Sequence, residues 1–309
     1  MSGRLYAGID AGSAAVKAVL VRGGTLEVAA RAILPTGWNP RESGEKALAM
    51  VLEQAGADSA SRIVATGYGR VAFPFADRNV TEISCHAKGA VQIVPACGTV
   101  IDIGGQDSKV ISVQPDGTVA DFVMNDKCAA GTGRFLQAVA GMLGMDVGAL
   151  CALAEGEEPC AITSMCAVFA ETEIVGLLAR GKAPASVAAG VLRAVARRIH
   201  ALAARIPLRG ECVFTGGLAA SPACGRMLSQ ELGVEVKTPD YPQYTGALGA
   251  AMLAGVGTGV WHSFEEAVKQ TVRVRETYEP NPETKDVYDR GYESYRKLYE
   301  NLKDLMKKN

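Results

Sequence analysis

A strand-and-loop pattern occurs twice in this sequence, and the repeat constrains the fold more than any other feature. Asp10 ends one apolar run and Asp102 ends another; in each copy glycine follows at the second position and lysine at the seventh. A second apolar run comes next in both copies, with a turn containing Gly-Thr at residues 24–25 and 117–118. The repeat predicts two related units, each starting with a strand, a glycine loop and a hairpin.

The repeated loops have the residue types that hold nucleotide phosphates. Glycine at the end of a strand lets backbone N–H groups approach phosphate oxygens, and a nearby aspartate can hold Mg2+ through water. The chain has no Gly-x-x-x-x-Gly-Lys-Ser/Thr motif, which is the common single-loop alternative. Two facing loops would grip a triphosphate from both sides.

Two further segments complete this set. Gly216 and Gly217 follow a strand-like run, where they let a base or ribose approach the backbone, and residues 244–253 form a helical pattern with small residues on one face. In this order the parts resemble the actin and sugar-kinase nucleotide-binding superfamily. The resemblance implies an α/β, ribonuclease H-like duplicated ATPase fold with two lobes around a nucleotide cleft. We expect a first lobe at 1–95, a second at 96–256 and a helical tail at 257–309.

Composition limits the possible partners and the compartment. The chain has 309 residues, 48% hydrophobic and 21% charged, with a net charge of −1 and no basic block, which argues against nucleic-acid binding. It has neither a signal-peptide pattern nor a run of eighteen apolar residues, so we expect a cytoplasmic protein without a membrane span. Its eight cysteines should then be reduced, which favours metal binding over disulfides.

Two of those cysteines stand at predicted helix starts. Cys128 precedes a small-residue turn and the helical pattern that begins near Phe135, while Cys166 follows the strand-like run 160–163 and opens a second helix. Exposed N–H groups and the helix dipole favour the thiolate at such positions. Buried packing is the ordinary role of a free cysteine, but this pair is typical of half a metal or cluster site.

Three longer motifs point to one family. Residues 102–107, 125–135 and 166–171 closely resemble the ATP-dependent activators of 2-hydroxyacyl-CoA dehydratases, a family that includes the ATPase subunits of benzoyl-CoA reductase. The resemblance covers about residues 6–253. It implies a homodimer with one 4Fe-4S cluster on its two-fold axis, held by Cys128 and Cys166 of each subunit. ATP hydrolysis would change the lobe angle, and an electron from a ferredoxin or flavodoxin would pass to a dehydratase or reductase component.

The resemblance also implies roles for the loop residues. Asp10 and Asp102 would handle Mg2+ in ATP hydrolysis, with either Gln106 or Asp107 positioning the attacking water. The residues implied to bind ATP are Gly12, Ser13, Lys17, Gly104, Gly105 and Gln106 at the phosphates and Gly216 and Gly217 at the adenosine. The first loop departs from the family at Ala14 and Val16, where hydroxyl residues are usual, so we expect fewer phosphate contacts there.

The second departure is a tail at residues 261–309. It contains a capping box at 263–266 and an aromatic and aliphatic stripe with helical spacing between Tyr288 and Met306. The tail resembles the end of carbohydrate kinases of the FGGY type. We expect an added helical element that docks on a lobe of this chain.

Three alternatives remain open at this point. The chain could be a sugar kinase, although no sugar-domain insertion or credible aspartate base is visible, or a non-catalytic nucleotide-dependent regulator with structural cysteines. A cluster could also form within one chain, from Cys128 and Cys166 with Cys151 and Cys160. Iron content separates the activator from the other two classes. We expect Cys97, Cys212 and Cys224 to be packing residues and His86 to be a packed or capping residue.

Overall fold

The computed structural model describes residues 4–23, 25, 27–164, 166–257 and 274–282, with residues 289, 290, 293 and 297. The predicted capping box at 263–266 and the aromatic stripe of the tail lie outside the described residues.

The first sheet is built on a strand that is buried along its whole length. Its order is β3-β2-β1-β4-β5, with β1, β2 and β3 antiparallel and β4 and β5 parallel to β1. The hairpin register places Asp10 opposite Lys17. The strands are β1 (Leu5–Ala11), β2 (Ala15–Arg22), β3 (Val28–Pro35), β4 (Arg62–Thr66) and β5 (Arg78–Asn79).

The second sheet repeats this arrangement and adds one strand. Its order is β11-β10-β9-β6-β7-β8, so β6 takes the place of β1, and its hairpin register places Asp102 opposite Lys109. The separation of seven residues between aspartate and lysine is therefore the one that places them opposite each other in a tight antiparallel hairpin. The strands are β6 (Cys97–Ile103), β7 (Ser108–Val113), β8 (Val119–Asn125), β9 (Glu211–Gly216), β10 (Val236–Pro239) and β11 (Val274–Tyr278).

Helices cover both sheets, as the mixed pattern of apolar runs and helical periodicity predicts. One hydrophobic cluster joins the first sheet to α1, and a larger cluster joins the second sheet to the helices from α3 to α7. The helices are α1 (Pro40–Gln54), α2 (Glu82–Ile93), α3 (Gly133–Met142), α4 (Val147–Leu153), α5 (Ala167–Ala179), α6 (Pro184–Ala203), α7 (Pro222–Leu232) and α8 (Thr245–Val256). Within the described residues no single helix could span a membrane by length and apolarity; α3 and α4 pass that test only jointly, as a pair bent by 81°.

Two helices cross between the sheets. α2 follows the first sheet in the chain but packs on β6 and β7, whereas α8 follows β10 of the second sheet and packs on β1 and β4. The crossing is close because small residues line it: a Cβ atom on Gly8 would lie 1.9 Å from the Ala247 carbonyl oxygen, and one on Gly249 would lie 2.1 Å from that of Cys85. The small-residue face predicted for residues 244–253 therefore packs where the two halves of the molecule meet.

The tail contributes a strand where the sequence pattern predicted helical structure. β11 pairs antiparallel with β10, with Tyr278 opposite Val236. The segment is rich in residues that favour strands, and the edge of the second sheet offers unpaired backbone groups to it. Residues 274–278 of the tail therefore extend a sheet, whereas the described residues 282, 289, 290, 293 and 297 are helical, as the sequence pattern predicted.

Candidate nucleotide site and cysteine helices

The two predicted loops form matching ion pairs at the carboxyl ends of β1 and β6. Lys17 Nζ lies 3.2 Å from Asp10 Oδ2, and Lys109 Nζ lies 3.3 Å from Asp102 Oδ2. Burial alone would lower the pKa of each lysine, but neighbouring carboxylates, led by Asp10 for Lys17 and Asp102 for Lys109, outweigh burial and raise both. Both lysines are therefore cationic and fix the aspartates in place.

Asp102 is the more enclosed of the two aspartates. It is 3% exposed, accepts a hydrogen bond from Thr215 Oγ1 at 3.0 Å, and lies 3.7 Å from His86 Nδ1. Burial raises the pKa of its carboxyl, but His86 and Lys109 overcome this effect and lower the pKa to about 2. Asp102 is consequently a carboxylate at neutral pH.

A glycine closes on each aspartate from the neighbouring parallel strand. Gly67 after β4 and Gly216 at the end of β9 have positive φ angles of 84° and 92°, and each follows a threonine. A Cβ atom would lie 2.6 Å from Asp10 Oδ1 at the first position and 2.9 Å from Asp102 Oδ1 at the second. Gly216 was predicted from the sequence and Gly67 was missed, although the repeated Thr-Gly pair after a strand was visible.

The two loops face each other directly. A Cβ atom on Gly105 would lie 2.9 Å from the Ala14 Cβ and 3.2 Å from Ser13 Oγ. The amides of Gly12 and Gly104 donate within their own loops, to the carbonyls of Ala15 and Asp107 at 3.1 and 2.9 Å. The structure thus brings the predicted glycines of both loops together, and Ala14 occupies the point of closest approach.

Asp107 and Gln106 have different surroundings. Gln106 is exposed, whereas Asp107 is 4% exposed and its Oδ1 accepts a hydrogen bond from Lys109 Nζ at 2.8 Å. The other oxygen, Oδ2, is buried with no hydrogen-bond partner among the described residues. Burial and the nearby Asp107 raise the pKa of the Tyr68 hydroxyl to about 12, so Tyr68 remains a neutral donor beside this carboxylate. A buried carboxylate oxygen of this kind is available to a further hydrogen-bond donor or to a metal ion.

His86 belongs to this site, which the sequence did not reveal. The side chain is buried as predicted, but it lies between the two loops: Nδ1 is 3.3 Å from Thr215 Oγ1, and a Cβ atom on Gly246 would lie 3.0 Å from Nε2 and 3.3 Å from Asp10 Oδ2. Only the packing of α2 against α8 creates this position. An isolated histidine in the sequence carries no such signal.

The two cysteines assigned to a cluster are exposed, whereas five of the other cysteines are buried and Cys160 is intermediate. Cys166 caps the N-terminus of α5, and its carbonyl accepts a hydrogen bond from the Ala170 amide at 2.9 Å. Residues 160–163 before it form no strand, contrary to the strand-like pattern of the sequence. Cys128 lies in the turn before α3, where the Asn125 side chain donates to the carbonyls of Cys128 and Ala130 at 2.9 and 3.0 Å.

The helix after Cys128 is bonded to the second of the two glycine loops. The amide of Gly133 donates to the Gly104 carbonyl at 2.9 Å, and that of Arg134 donates to the Gly105 carbonyl at 2.8 Å. A Cβ atom on Gly133 would lie only 3.0 Å from the Gly104 oxygen, so glycine permits this approach. The first amides of α3, which have no partner inside the helix, are thus satisfied by the loop.

The surface beside Cys166 is apolar. Val168, Phe169 and Val175 on α5 are 67%, 69% and 54% exposed. Hydrogen bonds from the amides of Thr163 and Ser164 to the Glu173 carboxylate, at 2.8 to 3.1 Å, hold the preceding segment against the helix. Although desolvation acts in the opposite direction, these bonds lower the pKa of Glu173 to about 2. No group of three or more potential metal-ligating side chains converges in the part of the chain that the structure describes.

Comparison with known proteins agrees with this geometry. Residues 7–254 match the BadF/BadG/BcrA/BcrD ATPase family. The (R)-2-hydroxyglutaryl-CoA dehydratase activating ATPase of Acidaminococcus fermentans is 43% identical over 80% of this chain and 95% of its own length. The structure of the Clostridium difficile 2-hydroxyisocaproyl-CoA dehydratase activator with bound ADPNP superposes with a TM-score of 0.77 and 36% identity, over 86% of this chain and 96% of that one.

The fold extends to sugar kinases. The xylulose kinase of Rhodospirillum rubrum superposes with a TM-score of 0.61 over 98% of this chain and 99% of that one, at 15% identity, which is evidence for the fold alone. The predicted two-lobed fold is confirmed by these structures and by the duplicated sheets. The chain therefore belongs to the BadF/BadG/BcrA/BcrD ATPase family, as the motifs at residues 102–107, 125–135 and 166–171 predicted.

Proposed function

We propose that this protein is an ATP-hydrolysing iron-sulfur activator that delivers a low-potential electron to a 2-hydroxyacyl-CoA dehydratase or a related reductase component. The observation that carries the proposal is the pair of hydrogen bonds from Gly133 and Arg134 to the second phosphate loop. Any movement of Gly104 and Gly105 on nucleotide hydrolysis acts directly on the helix that follows Cys128. Two of the relatives are activators of 2-hydroxyacyl-CoA dehydratases, which supports a dehydratase as the electron acceptor.

The residues of the cleft fit ATP with Mg2+. Magnesium prefers carboxylate oxygens and water. Asp107 Oδ2 is buried without a hydrogen-bond partner among the described side chains and could bind the ion, while Asp10 and Asp102 would hold it through water. Bound Mg2+ would neutralise charge on the phosphates. Lys17 and Lys109 orient the aspartates, and the facing loops at Ser13 and Gly105 supply the phosphate contacts. The Gly216–Gly217 turn lies beside Asp102 and is our candidate for the adenosine contact.

The cysteines fit a 4Fe-4S cluster shared by two chains. A cluster of this kind takes four thiolates and carries one electron at a time. Each chain offers two exposed thiols, at Cys128 and Cys166, and the apolar surface of Val168, Phe169 and Val175 beside Cys166 suits a contact with a second copy. A two-fold axis between the copies would bring four thiols together. We assign the electron donor to the ferredoxin or flavodoxin class, in the cytoplasm.

The positions of the other cysteines argue against a cluster within one chain. Cys151 is 4% exposed and its Sγ lies 3.7 Å from that of Cys224 in the core. Cys160 packs against α6, where a Cβ atom on Gly190 would lie 3.1 Å from its Sγ. Neither thiol shares the exposed surface of Cys128 and Cys166.

Iron content and native mass test the proposal. Anaerobically purified protein is expected to contain about two iron and two sulfide per chain, since a four-iron cluster shared by two chains gives this ratio. The native mass should be that of a dimer, and air should bleach the absorbance. A dimer prepared anaerobically without iron contradicts the electron-transfer proposal, and about four irons per monomer contradicts the shared site.

The surroundings of residues 106 and 107 predict which of them acts in hydrolysis. Asp107→Asn is expected to lower kcat for ATP hydrolysis about 100-fold, because it weakens the buried acceptor available to water or Mg2+. Gln106→Ala removes an exposed amide and should change kcat only slightly. Steady-state phosphate release measures both values. A greater loss in the Gln106 variant than in the Asp107 variant would reverse the assignment.

A further inference from the structure

A cavity of about 1120 Å3 lies beside the Gly216–Gly217 turn. Its walls come from α4, from the turn at Gly217 and Leu218, from the start of α7 and from the tail strand β11. The family match ends at residue 254, so β11 is a wall built from residues beyond that match.

The position of the cavity relates it to the phosphate loops. Gly216 touches Asp102, since a Cβ atom there would lie 2.9 Å from Asp102 Oδ1, and the next residue, Gly217, already lines the cavity. The cavity therefore begins at Gly217, next to the residue that contacts the Asp102 carboxylate, which we place beside the phosphates. A nucleotide held by both loops would have its nucleoside on this side.

The lining suits an uncharged nucleoside better than another phosphate. Val147, Leu218 and Pro222 provide apolar surface, and Glu276 and Glu279 of the tail also line the cavity. The Glu276 carboxylate accepts a hydrogen bond from the Tyr278 hydroxyl and pairs with Arg275, and a carboxylate has further acceptor positions for a ligand. Carboxylates accept hydrogen bonds from ribose hydroxyls and from an exocyclic amino group, and they repel phosphate. A third carboxylate, Glu155, is paired with Arg226 within the same wall.

The tail strand is held in place by specific contacts. A Cβ atom on Gly225 of α7 would lie 2.3 Å from the Tyr278 ring, so glycine at this position makes room for that ring. Ser229 Oγ donates to the Tyr278 carbonyl at 2.9 Å, and the Asn281 amide donates to Gln230 Oε1 at 3.0 Å. With the pairing to β10, these bonds hold β11 against α7 as one wall of the cavity.

We propose that the tail strand completes the nucleoside pocket, and that Glu276 and Glu279 strengthen binding of the ribose and base of ATP or ADP. This inference rests on the ATP site of the proposed function. It gives the tail a role in nucleotide affinity and explains why a strand outside the family match is built so closely into the second lobe.

Calorimetry on the full-length protein can separate the nucleoside pocket from the phosphate loops. It compares the binding of ADP with that of inorganic tripolyphosphate. In the double variant Glu276→Gln/Glu279→Gln, ADP is expected to bind about tenfold more weakly, the loss expected when hydrogen bonds to charged acceptors are weakened. Tripolyphosphate has no nucleoside and should bind as in the wild type. The matched control is Glu53→Gln/Asp58→Asn, which removes two exposed carboxylates from the first lobe and should leave both affinities unchanged.

Gly225→Val in the full-length chain gives a second measurement, because a side chain at this position would meet the Tyr278 ring and displace β11 from the wall. This variant should lose affinity for ADP at least as strongly as the double variant and retain tripolyphosphate binding, which also reports that the loops remain folded. Unchanged ADP binding in both variants overturns the inference, as does equal loss for the two ligands. The binding measurements do not depend on electron transfer. Iron-free protein would contradict the proposed function, but a selective loss of ADP affinity in the variants would still support the pocket.

Discussion

Replacing Cys128 with alanine is expected to reduce bound iron from about two atoms per chain to nearly none, the largest effect we expect from a single substitution. If the cluster lies between two chains, one changed codon removes two of its four ligands. Cys166→Ala should have the same effect. ATP hydrolysis should persist in both variants, because neither cysteine lies in the cleft between the loops at Ser13 and Gly105. Iron and sulfide analysis of anaerobically purified protein, with phosphate release, measures both properties.

Cys151→Ala and Cys160→Ala are the controls, and both should keep their iron. Cys151 is a demanding control because a hydrogen bond with Cys224 lowers the pKa of its thiol in spite of burial. A low pKa favours the thiolate, yet this thiol lies in the core against Cys224. Loss of iron from the Cys151 variant, with Cys128 and Cys166 intact, would move the cluster inside one chain.

The duplicated architecture was predictable because local spacing encodes it. Asp10 and Lys17 are seven residues apart, as are Asp102 and Lys109, and a tight hairpin places both members of each pair opposite each other. Glycine directly after each strand predicts the loop there, again from residues that are close together in the sequence. The two sheets and their facing loops thus follow from features within about twenty residues of each aspartate, on the scale of a single hairpin.

The parts that could not be predicted depend on distant packing. His86 enters the cleft because α2 crosses to the second sheet and meets α8, and no periodicity within α2 records that partner. β11 forms because the edge of β10 is available to it, more than thirty residues away. The bonds between Gly104, Gly105 and the start of α3 are also long-range. Contacts between elements, more than the elements themselves, therefore define the candidate site.

ATP hydrolysis should depend more on Asp102 than on any other residue. Its carboxylate is held in place by Lys109, His86 and Thr215. Asp102→Asn keeps the side-chain shape but removes the charge that we propose to act beside the phosphates. The pKa of about 2 means that the wild-type carboxylate stays ionised throughout the neutral range. The variant amide carries no charge at any of these pH values, so the difference between the two proteins should not depend on pH there. We expect kcat for ATP hydrolysis to fall by about 10² to 10³, as for loss of a buried electrostatic group in other active sites.

Thr215→Val provides the matched comparison, since it removes only the hydrogen bond that Thr215 Oγ1 donates to Asp102 at 3.0 Å. Its kcat should fall about tenfold, the effect of one hydrogen bond to a charged group. Both variants should keep their iron and dimeric mass, because Cys128 and Cys166 lie outside the cleft on the exposed surface. If Asp102→Asn hydrolyses ATP within a few-fold of the wild type, Asp102 has no part in the reaction. If it instead loses iron along with activity, the second phosphate loop is required to hold α3 and the turn before it in place.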